Sequence, residues 1–147
     1  MGRGRVSRVV YLKATIDGEV LTTYKADGVI VATATGSTGY ALSAGGPILY
    51  PQAREMVMKP ISAHLTLSSA LVLAPTSIIE LELSTDHEAM LSVDGQVEVG
   101  LNSGDTVRVR RSPHVARFLR QRPPAYFFAT LTQRLTSKRD PFLWTGQ

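Results

Sequence analysis

Hydrophobic and polar positions alternate over several short runs of this chain. Ile79, Leu81 and Leu83 alternate with Glu80 and Glu82, and Val107 and Val109 alternate with Arg108 and Arg110. A period of two sends one set of side chains to a core and the other to water, so both runs predict β-strands. The runs Val9–Ile16 and Glu19–Lys25 flank Asp17-Gly18, and Met90–Val93 and Gln96–Val99 flank Asp94-Gly95. Asp-Gly between two such runs predicts a hairpin, because a type I′ turn needs positive φ at both central residues. A third pair, Asp27-Gly28, precedes the apolar run Val29–Thr33, and Leu65–Leu73 reads as one or two further strands ended by Ala74-Pro75.

Helical patterning is sparse. Ser37–Ala44 predicts a short helix capped by Ser37 or Thr38 and stopped by Gly45-Gly46-Pro47. Pro124–Leu135 carries Tyr126, Phe127, Leu131 and Leu135 and predicts an amphipathic helix covering the sheet. The expected fold is mainly β: an antiparallel β-sandwich with two or three short helices, over residues 1–135, followed by a tail at 136–147.

Composition narrows the class. The 147 residues include no cysteine, which removes disulfides, cysteine-bound zinc and thiol catalysis, and fits a reducing, cytoplasmic setting. No apolar run approaches the roughly 20 residues of a membrane span, and MGRGRVSRVV lacks a signal core, so neither membrane nor secretion is expected. Charge is divided along the chain, with a net −4 over residues 1–107 and +8 over 108–147. The arginines lie on a predicted strand and helix, with no RNA-binding aromatic signature, so no nucleic-acid partner is expected. Arg108, Arg110 and Arg111 read as a solvated strand face.

The stretch best suited to chemistry is DGVIVATATGSTGYALSAGGP, residues 27–47, in which an apolar strand enters a loop of Thr, Gly and Ser. Small residues let backbone N–H groups approach a ligand, a helix start favours anions, and the hydroxyls of Thr35, Ser37 and Thr38 add donors and acceptors. Tyr40 offers a flat face to a base. The competing reading is a plain strand–helix connection, with Asp27 and Asp94 as turn residues. His64 reads as a packed strand histidine, His87 and His114 as incidental, and Tyr126, Phe127 and Phe128 as core.

DGVIVATATGSTGYALSAGGPI resembles the NAD kinase signature, a DG-led apolar strand followed by TPTGSTAYSLSAGGPI. Pro60-Ile61 with His64-Leu65, Leu71-Val72-Leu73 and Ser92-Val93-Asp94-Gly95-Gln96 are similar to further family segments, in the same order. The resemblance covers residues 4–135. It implies the NAD-binding, oligomer-forming C-terminal domain of an enzyme that phosphorylates the adenosine-ribose 2′-hydroxyl of NAD with ATP or polyphosphate, making NADP. It also implies a homo-oligomer, dimer or tetramer, and Mg2+ arriving with ATP. Its substrate contacts fall on Arg8, Lys25, Asp27, Thr38, Gly39, Tyr40, Ala41, Leu42, Ser43 and Gln96, with Asp27 often reaching a neighbouring subunit's ligand; Thr35 joins them as a candidate through its hydroxyl. No catalytic residue and no metal ligand is carried over. The family's GGDG loop and Asn-Glu pair do not occur in this sequence, so the chain is expected to be the C-terminal domain alone and inactive as a kinase. Ala34 replaces the family's proline, Gly39 its alanine, and Ser69-Ala70 its Arg-Pro. The alternative is a non-catalytic nucleotide-binding or interaction module.

Overall fold

A computed structural model describes residues 9–64 and 67–136. The first hairpin joins β1 (Val10–Ile16) to β2 (Glu19–Ala26). Asp17 and Gly18 take φ of 53° and 89°, the left-handed pair that the turn demands. The Asp17 carboxylate also accepts the Ile78 N–H at 2.7 Å and the Ser77 hydroxyl at 3.0 Å, fastening this turn to the start of β6 (Ile79–Ser84).

With β9 (Thr106–Val109), these strands form an antiparallel sheet in the order β2-β1-β6-β9. A second sheet has the order β3-β4-β5, from β3 (Gly28–Ala32), β4 (Met56–Ile61) and β5 (Leu71–Leu73). The core lies between the sheets. Ala14, Tyr24, Ala26, Ile79 and Leu81 face in from the first, and Met56 and Met58 from the second. Burial of each large apolar side chain contributes about 1.5–3 kcal/mol. The outer face is wet, with cross-strand pairs Lys13–Glu82 and Glu80–Arg108 at 3.5 Å.

β6 and β9 continue beyond this sheet. Leu83 donates its N–H to Asp105 O and accepts that of Gly104, and the ribbon then breaks at 85–88 and 102–105. It pairs again as β7 (Ala89–Val93) with β8 (Val97–Leu101), a separate two-stranded arm. Asp94 and Gly95 at its tip again have positive φ, and the Gln96 N–H closes the turn on Val93 O.

The chain divides into two units, Met1–Ser112 and Pro113–Gln147. The second unit holds α3 (Tyr126–Thr136), where Phe127 and Phe128 meet edge to face at 5.4 Å and the Arg122 guanidinium stacks 4.9 Å from the Tyr126 ring. The tail beyond Thr136 lies outside the described residues. Tyr126 and Phe128 are not core: they are 40% and 62% exposed.

Three more expectations change. β4 is a strand that the sequence reading missed, because Pro60 argues against a central strand; it is tolerated where β4 runs past the end of β5, which pairs only Met56–Met58. The strand signal at 65–73 shrinks to β5 among the described residues. His64 is exposed and outside any strand.

The Tyr24 hydroxyl is buried in the core without a hydrogen-bond partner among the described residues, and burial raises its pKa above the usual value near 10. Removing an unsatisfied buried hydroxyl while keeping the ring is neutral or stabilising, so Tyr24→Phe should hold or raise the melting temperature, by up to about 1 kcal/mol of stability. A raised phenol pKa favours the neutral form, so its contribution is full below pH 10 and is lost as pH rises through the folded value. Tyr24→Phe should therefore resist alkaline unfolding above pH 10, followed by circular dichroism. Asp17→Ala should cost about 1–2 kcal/mol in denaturant melts, since two carboxylate hydrogen bonds disappear from an exposed turn.

Candidate functional site

The hydroxyl-rich loop does not form the single capped helix its sequence suggests. It forms two separate turns, α1 (Ala34–Ser37) and α2 (Tyr40–Ser43), interrupted at Thr38-Gly39. Thr33 and Gly39 occupy the N-cap positions, and neither end has a side-chain cap. Ser37 is fully buried; its hydroxyl donates to Ala34 O at 2.7 Å and accepts the Leu49 N–H at 3.0 Å. It therefore closes the loop rather than facing a ligand. Two four-residue turns also make too small an aligned dipole for the helix-start argument.

Glycine spacing fixes this shape. The Gly46 N–H donates to Ala41 O at 2.8 Å, and a Cβ on Gly46 would lie 2.8 Å from that same oxygen. A Cβ on Gly36 would stand 3.2 Å from the Ala32 methyl, and one on Gly39 3.3 Å from Gly36 O. What faces solvent is Thr35, Gly36, Gly39, Tyr40 and Ser43, with Tyr40 65% exposed. Thr38 and Leu42 are half-buried, and the Thr38 hydroxyl donates to Thr35 O at 3.3 Å. Ala41 is fully buried, so its methyl belongs to the packing beneath the loop.

Lys25 and Asp27 stand elsewhere. The chain passes from β2 to β3 through Asp27 alone, whose N–H donates to Ile61 O at 2.9 Å. The Lys25 carbonyl accepts the His64 N–H at 2.8 Å, and its ammonium lies 5.9 Å from the Tyr11 ring centroid. An open cleft of about 490 Å³ adjoins it, lined by Val9, Tyr11, Lys25, Ser84, Thr85 and Asp86. Beside the cleft, His87 Nδ1 lies 2.8 Å from Asp86 Oδ1 and 3.0 Å from the Thr85 hydroxyl.

The five residues of β3 separate Asp27 from the loop, and at about 3.3 Å per residue that is roughly 15 Å or more. Gln96 is exposed at the tip of the arm. One copy thus presents the candidate residues in three places: Lys25 with Asp27, the 35–43 loop, and Gln96. Arg8 lies outside the described residues. The cleft residues Tyr11, Ser84, Thr85 and Asp86 were not singled out from sequence. A regular two-residue hairpin would set Lys25 opposite Val10; the bulge in this pair shifts it to Tyr11. Among the described residues no group of three His, Asp or Glu stands ready to hold a metal ion, and no helix is long and apolar enough to cross a membrane.

Gly46→Ala should cost about 1–3 kcal/mol, since the new methyl meets backbone, whereas Gly39→Ala should cost less than about 1 kcal/mol. Thermal melts of the two variants compare them directly.

Curated relatives match this chain in sequence, and solved structures match its fold. The chain is 50% identical to an NAD kinase of Chloroflexus aggregans over 135 residues, covering 92% of this chain and 49% of that protein. An NAD kinase of Dehalococcoides mccartyi is 44% identical over 140 residues, covering 95% and 49%. The chain spans about half the length of the curated relatives it matches. Among solved structures, an Archaeoglobus fulgidus NAD kinase in complex with ATP matches with a TM-score of 0.77 at 28% identity, covering 90% of this chain and 50% of that one. Yeast NADH kinase complexed with NADH matches at 0.66 and 40% identity, covering 74% and 31%. The model of the ATP-NAD kinase C-terminal domain matches residues 1–121, and the chain belongs to that family.

Proposed function

We propose that this chain is the dinucleotide-binding and oligomerising part of an NAD kinase, which transfers a phosphoryl group from ATP or polyphosphate to the adenosine-ribose 2′-hydroxyl of NAD and so makes NADP. The observation that carries the reading is the 35–43 loop: a solvent face of Thr35, Gly39, Tyr40 and Ser43, held from beneath by Ser37, Ala41 and Gly46. The complexes of related kinases with NADH and with ATP support it.

The residues divide the work by their chemistry. Tyr40 offers a ring for a base or nicotinamide to stack on. The Thr35 and Ser43 hydroxyls and the glycine backbone meet ribose and phosphate oxygens. The Asp27 carboxylate accepts hydrogen bonds from an amino or amide group and repels phosphate, so its role is recognition; Lys25 attracts phosphate. Because Asp27 and the loop sit at opposite ends of β3, a second copy brings the two ends together, which makes the working form a homo-oligomer. This chain then binds and orients the dinucleotide, and phosphoryl transfer draws on that positioning. The base for the 2′-hydroxyl proton belongs to the other half of the enzyme. Magnesium arrives with ATP, and a cytoplasmic location fits the substrates.

Asp27→Ala in the intact enzyme should weaken NAD binding roughly ten- to a hundredfold, the value of one charge-assisted hydrogen bond, and leave ATP binding and the melting temperature nearly unchanged. Calorimetric titration of both nucleotides measures this; unchanged NAD affinity removes Asp27 from the site.

A further inference from the structure

The 35–43 loop has no charge of its own. From Gly28 to Ala53 the chain carries no Lys, Arg, Asp or Glu. Arg54 and Glu55 follow and offset each other, and Lys25 stands at the far end of β3, too distant to reach the loop of the same copy. A dinucleotide brings a pyrophosphate, and phosphate held only by hydroxyls and neutral backbone lacks a cationic donor, whose bonds are the strong ones. The next cation along the chain is Lys59, on β4.

Lys59 lies on the side of its sheet that carries the loop. Met56 and Met58 point into the core, so Val57 and Lys59 take the opposite face, paired with Ala32 and Ile30 of β3. The turns of the loop cover that face: Val57 is fully buried, and a Cβ on Gly36 would stand 3.2 Å from the Ala32 methyl. Lys59 is half-buried, between the end of α2 and the segment that enters β5. Its stem passes Gly45, where its Cε lies 4.0 Å from the place a Cβ would take. The ammonium, one bond further on, donates to Ser68 O at 2.6 Å. That bond holds the head of a long side chain in place, which lowers the entropy lost when a ligand is bound. An ammonium has further N–H donors to offer, and no carboxylate among the described residues pairs with this one. The same segment departs from the family pattern. Ser69 stands in place of an arginine, and the Lys59 ammonium meets the backbone one residue before it.

We propose that Lys59 is a phosphate-binding residue of the nucleotide loop, holding the pyrophosphate of the dinucleotide from the same copy that supplies Thr35, Tyr40 and Ser43. The inference rests on the reading of the loop as an NAD site. NAD titrations of the intact enzyme at low and high salt test it. At low salt Lys59→Met, which keeps the stem beside Gly45, should bind NAD roughly tenfold more weakly than wild type, with the melting temperature nearly unchanged. Lys59→Arg, which keeps the charge, should retain most of the affinity. Salt screens charge attraction, so the gap between wild type and Lys59→Met should narrow as salt rises.

Equal NAD affinity of wild type and Lys59→Met overturns the inference. So does a gap that salt leaves unchanged, since that marks a packing role instead of a charge contact. Tyr40→Ala keeps the inference apart from the reading on which it rests. Weaker NAD binding by Tyr40→Ala together with unchanged binding by Lys59→Met removes Lys59 and leaves the loop. NAD binding by Tyr40→Ala equal to wild type removes the loop, while a salt-dependent loss in Lys59→Met still places the phosphate contact at Lys59.

Discussion

Tyr24, Met58 and Ile79 meet between the sheets, all fully buried, and the placement of the other elements follows from that contact. The two sheets must stay face to face to keep these side chains dry, yet consecutive strands β2 and β3 belong to different sheets. A single residue, Asp27, makes the crossing. Its location at the corner of the sandwich is thus a result of packing before it is a matter of recognition. The same corner fixes the direction of β3, and β3 in turn carries the threonine- and glycine-rich loop away from Asp27.

That loop is rigid for reasons of volume as much as hydrogen bonding. The Gly46 backbone lies against Ala41, and Gly36 lies against Ala32. Ser37 spends its hydroxyl on the segment that follows, at Leu49. The polar groups left to solvent are few and fixed in place, the condition under which a small number of donors and acceptors can discriminate between ligands. Gly39 replaces the family's alanine, but the space at that position still admits a methyl group after a small adjustment.

Much of this was legible in the sequence. The Asp17-Gly18 and Asp94-Gly95 turns have the backbone signs their chemistry requires, and the alternation at 79–83 reports the buried face of β6 directly. The motif at 27–47 named the candidate loop. What local pattern does not carry is context. Pro60 hides β4 because sequence does not show where its neighbour β5 stops. Ser37 finds its partner twelve residues away, at Leu49, and the cleft beside Lys25 depends on a bulge in the register of the first hairpin. The aromatics of α3 share helical spacing with core residues, yet Tyr126 and Phe128 face solvent in the second unit.

The ribbon that begins as β6 with β9 and resumes as β7 with β8 has one covalent path but two mechanical halves. The near half is wedged into a four-stranded sheet, and its Ile79 and Leu81 are core. The far half, beyond the break at 85–88 and 102–105, is a two-stranded sheet of its own among the described residues. In solvent deuterium, amides of the near half should open with global unfolding, whereas those of the far half should open locally and exchange sooner. The strands are continuous in sequence, but the cooperative units are not.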